Sequence, residues 1–159
     1  MFQSSDAFPH LKVLEQNWEG IKEEYLAVST KTSEWPETYL HNGKWDTFGL
    51  FFGGNRLEGE KLCPLTASLI HKIPGLFIAG FSILRPGCVI HPHIGYTSTV
   101  LRAHLGLICP DNAWIEVGGE RRGWVEGEVM VFDDTILHSA ANESASDRVV
   151  LIVDFIKEP

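Results

Sequence analysis

The second half of the chain consists of short β-rich segments separated by turn residues, and this texture restricts the possible folds more than any other feature. The segments begin after Leu76 and read FIAGFSIL, CVIHPH, TVLRAHLGLI, AWIEV, GWV, VMVF and RVVLIVDFI. Turns are predicted at Pro86-Gly87, Gly118-Gly119 and Glu126-Gly127. Many short strands at this spacing favour a sandwich or barrel, of which the jelly roll with two facing sheets is one form.

The first 75 residues are predicted to be helical and irregular. Apolar residues recur at three- and four-residue steps between residues 7 and 28, which predicts a helix packed on one side of the β-rich part. A polar stretch broken by glycine and proline follows, and its aromatic segment Trp45–Phe52 predicts a short strand. A second short helix is predicted over 65–71, because proline and glycine follow it.

Composition and charge narrow the class of protein further. With 159 residues and 44% hydrophobic content, the chain is predicted to be one domain over 1–159, with a helical and irregular part over 1–75 and a β core over 76–159. The net charge of -8 argues against nucleic-acid or anionic-membrane partners. Three cysteines without a C-x-x-C pair favour a reducing, cytoplasmic location, and no apolar run approaches a membrane span.

Four histidines lie within the β-rich part, where imidazole groups suit iron, zinc, copper or nickel. They are His91, His93, His104 and His138. A mononuclear iron site with two histidines and one carboxylate normally carries Asp or Glu two residues after the first histidine, but Gly95 follows His93 at that spacing. The residues alone leave open a two-histidine iron site, a site whose carboxylate comes from elsewhere, and no metal site.

Strand periodicity groups the polar side chains, because residues two apart share one face of a strand. His91 and His93 share a face in a spacing that resembles a cupin metal site, so His91 is a rival ligand. Arg102 and His104 also share a face and suit a carboxylate, although a surface ion pair and a backbone-bonded core histidine are the alternatives. Arg148 opens an apolar strand, where it either binds a bidentate anion or extends to water.

At these residues the sequence resembles the aspartyl/asparaginyl β-hydroxylases, a family of non-haem iron, 2-oxoglutarate-dependent dioxygenases. The resemblance covers nearly the whole chain and includes the N-terminal segment NWEGIKEE. The other matching positions are Ser82, Pro86-Gly87, Pro92-His93, Leu101 to Leu107, Trp124 to Gly127, Phe132 to Asp134, His138 and Arg148. The resemblance implies a double-stranded β-helix, a jelly-roll and cupin-like fold that is mainly β, with the N-terminal helix packed on one side.

The resemblance implies that His93 and His138 are the two iron ligands. The family lacks the usual carboxylate ligand, so Gly95 agrees with its pattern and water is expected to fill the third position. Asp133 and Asp134 precede His138 and are capable of supplying a carboxylate, but the turn-like run in which they lie favours a structural role.

The resemblance also implies a cosubstrate site. Arg148 and Ser82 correspond to the pair that holds the distal carboxylate of 2-oxoglutarate. Arg102 and His104 correspond to residues near the other end of the cosubstrate. Trp45 corresponds to a tryptophan that borders it.

The implied activity is hydroxylation of an unactivated C–H bond with iron(II), 2-oxoglutarate and dioxygen. His93, His138 and Arg148 are the residues expected to carry catalysis. The substrate is expected to be a small molecule or a peptide, with the β-carbon of an Asp or Asn residue, or a free or carrier-tethered amino acid, as the first choice.

Two features bear on other interpretations. Tyr96 and Ser98 replace the Pro and Asn that are common in the animal enzymes, and this departure beside an iron ligand affects the expected substrate. The alternative function is a non-catalytic or differently metallated cupin-type protein that binds a small carboxylate, which His91 favours.

Overall fold

Strands outnumber helices in this chain, and apolar residues alternate along the longer strands. The computed structural model describes residues 1–95 and 97–157, so the substitution at Tyr96 lies outside the described residues. The strands are β1 (Phe2–Gln3), β2 (Ser33–Glu34), β3 (Trp45–Phe52), β4 (Asn55–Arg56), β5 (Leu76–Leu84), β6 (Val89–His93), β7 (Val100–Ile108), β8 (Ala113–Val117), β9 (Glu120–Arg122), β10 (Val129–Phe132), β11 (His138–Asn142) and β12 (Arg148–Ile156). The helices are α1 (Lys12–Gln16), α2 (Trp18–Val28) and α3 (Pro64–Ile70), with 3₁₀ turns at Ser5–Ala7, Pro9–Leu11, Thr38–Leu40 and Glu58–Leu62.

The strands form two antiparallel sheets. The larger sheet has the order β1-β10-β7-β12-β5-β3-β2, with β4 beside β3, and the smaller has the order β6-β11-β8-β9. Neighbours in each sheet are often distant in sequence, as in the pairing of β12 with both β5 and β7. This arrangement confirms the predicted mainly β, double-stranded β-helix fold.

The central strand β12 separates two apolar clusters, because its successive side chains point to opposite faces. On one face, Leu151 and Val153 are fully buried against the helices, where they join Ile21 of α2. On the other face, Val150 and Ile152 pack between the two sheets. Burying each such side chain contributes roughly 1.5–3 kcal/mol. The helices therefore cover the outer face of the larger sheet, and the space between the sheets is left for the site.

The N-terminal helix is interrupted, where the sequence predicted one helix over residues 7–28. Helix α1 ends at Gln16, and Asn17 leaves the helical region with φ -120° and ψ 17°. The Asn17 side chain donates to the Val13 carbonyl at 2.8 Å, a local bond that competes with the helical ladder. The second predicted helix is present as α3, shifted by one residue.

Within the β-rich part, the strand predictions were correct for most segments and wrong at two places. The Gly118-Gly119 turn has φ values of 57° and 86°, and pairing resumes at once in β9. The strand predicted over GWV, residues 123–125, is therefore absent, because the strand after the turn is β9 and ends at Arg122. Strand β11 was not predicted because HSAAN is short of β-branched and aromatic residues. Residues 1–75 also contribute β1 to β4 to the larger sheet, and the extent of the domain stays a prediction.

Candidate active site

The register of the smaller sheet brings His93 and His138 together. His93 is the last residue of β6 and His138 is the first residue of β11, and the two are direct partners across the strand pair. Their ring centroids lie 4.3 Å apart. The H-x-H rival, His91, has an exposed side chain. Sequence therefore predicted a pair of histidines that the fold places side by side.

Backbone carbonyl groups orient both rings. His93 Nδ1 lies 2.7 Å from the His91 carbonyl oxygen, and His138 Nδ1 lies 2.9 Å from the Ile136 carbonyl oxygen. A carbonyl oxygen only accepts, so each Nδ1 carries the proton and each Nε2 presents a lone pair. This is the tautomer that a metal-ligating histidine needs.

Burial keeps His138 neutral. Desolvation is the largest cause that lowers its pKa, to about 4, while the bond to Ile136 opposes the shift and the charges of His93 and Arg102 add to it. A neutral imidazole is the form that binds a metal ion. Near neutral pH, protons therefore compete little for this nitrogen.

Acidification is expected to destabilise the metal-free protein between about pH 6.5 and pH 4. The unfolded chain binds a proton at His138 in this range and the folded chain does not, so the free energy of unfolding falls as the pH falls. A pKa of about 4 against an ordinary 6.5 corresponds to roughly 3 kcal/mol at most. Urea unfolding at pH 7 and pH 4.5 measures the loss, and His138→Gln should remove part of it. An identical pH dependence in the wild type and this variant would contradict the assignment.

Arg148 lies between the sheets with unused hydrogen-bond donors. It is 2% exposed, and its Nη2 donates to Ser82 Oγ at 3.1 Å. Trp45 Nε1 donates to the same oxygen at 2.9 Å, and the Arg148 guanidinium lies 4.4 Å from the centre of the Trp124 ring. Within the described part of the chain, Arg148 Nε and Nη1 have no partner.

The surroundings of Arg148 favour a bound anion. Burial is the main cause that lowers its pKa, to about 9, which records the unfavourable desolvation of the charge. Ser82 Oγ accepts two hydrogen bonds, from Trp45 and Arg148, so its own hydroxyl hydrogen is left to donate. A carboxylate placed here would accept from the guanidinium and from the serine and would neutralise the buried charge.

His104 adds a neutral donor to the same cavity. Trp124 Nε1 donates to His104 Nδ1 at 3.0 Å, so the proton of the neutral ring lies on Nε2. That nitrogen is buried and has no partner among residues 1–95 and 97–157. Burial, followed by the charges of Arg148 and Arg102, holds the His104 pKa well below its usual value.

Arg102 is placed at the edge of the site and is already paired. Its Nε and Nη2 donate to the two carboxylate oxygens of Asp154 at 2.8 and 2.9 Å. The sequence suggested a ligand contact for this guanidinium, and the structure shows it anchored to the same sheet. Asp154 was not singled out from the sequence, although an acidic residue two positions beyond Ile152 in an apolar strand signals a buried partner.

The space beside Gly95 is filled by the Asp134 carboxylate. A Cβ atom at Gly95 would lie 2.5 Å from Asp134 Oδ2 and 2.6 Å from its Cγ. Asp133 is held by Lys157 at 2.7 Å and by the Thr135 hydroxyl at 2.7 Å, as a structural residue would be.

Asp134 differs from its neighbour. It is 8% exposed, burial raises its pKa, and its Oδ1 has no partner within the described ranges. In those ranges no group of three or more His, Cys, Asp or Glu residues is arranged to hold a metal. The two-histidine ligand set stays a prediction, and Asp134 lies beside it.

Two cavities meet at these residues. The inner one contains both histidines, Arg148 and Ser82, and its free space is about 30 Å³, so a ligand larger than a few water molecules requires its lining to move apart. The outer one has a volume of about 390 Å³. They share Arg102 and Ile152 as a common wall.

Every helix among the described residues is too short or too polar to span a bilayer.

Two named proteins are similar to this chain over more than 90% of its length. An ornithine lipid ester-linked acyl 2-hydroxylase of Rhizobium tropici is 38% identical over 163 residues, which cover 94% of this chain and 58% of the relative. The aspartyl/asparaginyl beta-hydroxylase of Homo sapiens is 36% identical over 155 residues, which cover 91% of this chain and 20% of the relative. The chain thus spans little more than half of one relative and a fifth of the other.

The fold is also found in a solved structure of low sequence identity. A crystal structure of a Pseudomonas putida prolyl-4-hydroxylase matches 90% of this chain and 87% of its own, with a TM-score of 0.62 and 14% identity. At that identity the match concerns the fold alone. The model of the aspartyl/asparaginyl β-hydroxylases matches residues 15–158. The chain therefore belongs to the aspartyl/asparaginyl β-hydroxylase family.

Proposed function

We propose that this protein is an iron(II)- and 2-oxoglutarate-dependent dioxygenase that hydroxylates an unactivated C–H bond. The observation that carries the proposal is the buried guanidinium of Arg148, whose Nε and Nη1 have no partner in the described structure. It lines the same cavity as the paired rings of His93 and His138. An anion site and a metal site in one cavity suit a cosubstrate that binds both.

The metal would be held by His93 and His138 through Nε2. Their Nδ1 atoms already donate to backbone carbonyl groups, so the rings are oriented before a metal arrives. Two imidazole ligands suit iron(II) among other metals. When bound, iron and 2-oxoglutarate supply the oxidising chemistry, in which R–H, dioxygen and 2-oxoglutarate give R–OH, succinate and carbon dioxide.

The cosubstrate would be held by Arg148 and Ser82 at its distal carboxylate. Binding of the cosubstrate is favoured because its carboxylate would neutralise the buried guanidinium of Arg148. The Ser82 hydroxyl adds a second donor. His104 contributes its neutral Nε2–H, which lines the same cavity. Trp45 and Trp124 are 5% and 8% exposed, and they keep water away from the guanidinium.

The names of the relatives differ in substrate. One is called an acyl 2-hydroxylase of an ornithine lipid and the other a hydroxylase of aspartyl and asparaginyl residues. An Asp or Asn β-carbon, or a free or carrier-tethered amino acid, stays a proposal from the sequence, and the outer cavity bears on this choice. A cytoplasmic location and the lack of nucleic-acid or membrane partners also stay predictions.

Succinate release tests the proposed function. Purified protein with iron(II), 2-oxoglutarate and dioxygen would be screened against free amino acids, peptides, carrier-bound aminoacyl groups and acylated amides. At least one class should stimulate succinate formation, with one hydroxylated product per succinate. A protein that binds zinc tightly, and forms no succinate with any class, would instead be the carboxylate-binding protein that the sequence left as the alternative.

A further inference from the structure

The outer cavity continues the site along the inner face of the larger sheet. It adjoins the histidine cavity through Arg102 and Ile152 and extends over β3 and β5. Gly49 and Gly80 are direct partners in these strands and both line the cavity. The Leu57 side chain lies directly over this pair, since a Cβ atom at Gly49 would be 2.8 Å from Leu57 Cδ1. The cavity volume of about 390 Å³ is that of a small-molecule site.

The walls of the outer cavity are apolar along most of their length. They include Phe51, Phe52, Leu57, Phe77 and Ile78. Phe52 and Leu57 remain 58% and 38% exposed, so apolar surface extends out to solvent. Such a lining favours a ligand that removes hydrocarbon surface from water.

The charged groups lie at the end next to the histidines and include more acids than bases. One guanidinium, Arg102, stands among three carboxyl groups, of Glu37, Asp134 and Asp154. Its Nε and Nη2 donate to Asp154 at 2.8 and 2.9 Å, and the Asp134 carboxylate lies 4.0 Å away. In the described lining, no other Lys or Arg faces this end. An acidic substrate side chain would meet repulsion here.

We propose that the outer cavity binds the hydrocarbon chain of an acylated substrate whose polar head is uncharged or cationic. This inference rests on the proposed function, because it takes the histidine cavity as the reaction centre. It replaces an aspartyl side chain by an aliphatic chain as the group presented to that centre. The apolar walls hold the hydrocarbon chain, and the carboxyl groups select against an acidic head.

A chain-length series tests the binding site directly. N-hexanoyl, N-octanoyl and N-decanoyl glycinamide would be titrated anaerobically into the iron(II)-loaded protein by calorimetry, with and without 2-oxoglutarate. Each buried methylene should lower Kd about fourfold. N-acetyl aspartamide and the N-octanoyl derivative of aspartate serve as acidic probes, and the latter should bind more weakly than the matching glycinamide. A Kd that does not depend on chain length would overturn the proposal.

A matched pair of leucines supplies the variants. Leu57→Glu places a charge in the cavity wall, and Leu62→Glu places one on a surface where the side chain is 51% exposed and lines no part of the cavity. Binding of N-decanoyl glycinamide should weaken at least tenfold in the first and change less than twofold in the second. Equal effects in the two variants would refute the assignment. Circular dichroism of both confirms folding.

The two proposals fail in different ways. If 2-oxoglutarate does not bind, yet chain-length-dependent binding persists and is lost in Leu57→Glu, the proposed function fails and the chain site stands. If 2-oxoglutarate binds and succinate forms, yet the alkanoyl amides bind without chain-length dependence, the chain site is refuted and the proposed function stands.

Discussion

Replacing His138 with alanine is expected to weaken iron(II) binding more than about 100-fold and to abolish hydroxylation. The loss of an outer hydrogen-bond partner alone costs a metal site about 10- to 100-fold, and the loss of one of two protein ligands costs more. His138 is buried and its Nδ1 is held at 2.9 Å from a carbonyl oxygen, so alanine removes a ligand nitrogen, Nε2, that the fold has already oriented. Anaerobic calorimetry with iron(II) measures the change.

His91→Ala is the matched control for this experiment. His91 belongs to the same H-x-H segment, but its side chain is exposed, and only its backbone carbonyl contacts His93. Alanine keeps that carbonyl, so iron(II) affinity should change less than about threefold, the size of an ordinary surface effect. A large loss in His91→Ala, or an unchanged affinity in His138→Ala, would reassign the ligands.

Replacing Arg148 with alanine is expected to raise the requirement for 2-oxoglutarate by about 30- to 4,000-fold while leaving iron(II) affinity intact. Removal of one partner of a desolvated charge pair costs about 2–5 kcal/mol, which corresponds to that range. In the absence of an anion, Arg148 has a guanidinium that is 2% exposed and only partly hydrogen-bonded. Alanine removes this buried charge and also leaves a cavity beside Trp124, so circular dichroism is needed to check that the variant folds.

Two controls separate the role of the guanidinium from a general effect. Arg148→Lys keeps the charge but loses the planar guanidinium group. Its requirement for 2-oxoglutarate should therefore lie between those of the wild type and Arg148→Ala. Arg122→Ala removes a charge whose side chain is 50% exposed and should leave the requirement unchanged. The KM for 2-oxoglutarate and the kcat would be measured for each. An unchanged cosubstrate dependence in Arg148→Ala would refute the role given to this residue.

The fold could be predicted from the sequence wherever periodicity was strong. The apolar alternation of RVVLIVDFI predicted β12 with its correct bounds, and the aromatic segment predicted β3. The interruption at Asn17 was missed because one side-chain bond to Val13 outweighs an otherwise regular helical pattern. Strand β11 was missed because its small and polar residues take their conformation from pairing with β6 and β8, and not from their own preference.

The site was predictable only in part, because its contacts depend on register between distant strands. The candidates at His93, His138, Arg148 and Ser82 do lie in one cavity. The pairing of Arg102 with a carboxylate 52 residues away follows from the alignment of β7 with β12, which no local pattern reveals.

The space beside Gly95 was equally hidden from the sequence. The missing side chain was visible, but Asp134 fills the space because β6 pairs with β11, which also places the Gly95 N–H 2.7 Å from the Asp134 carbonyl oxygen. The outer cavity was hidden for the same reason, because its lining comes from β3, β5, β7 and β12, which are distant in the sequence.

Anaerobic titration of the metal-free protein with iron(II) and then 2-oxoglutarate shows whether both bind in the histidine cavity. Chelation of iron by the keto and carboxylate oxygens of 2-oxoglutarate gives a visible charge-transfer absorption, which neither partner gives alone. We predict that this absorption develops with one iron and one 2-oxoglutarate per chain, and that Arg148→Ala shifts it to much higher 2-oxoglutarate concentration. A protein that binds iron(II) but develops no such absorption at any 2-oxoglutarate concentration would contradict this prediction.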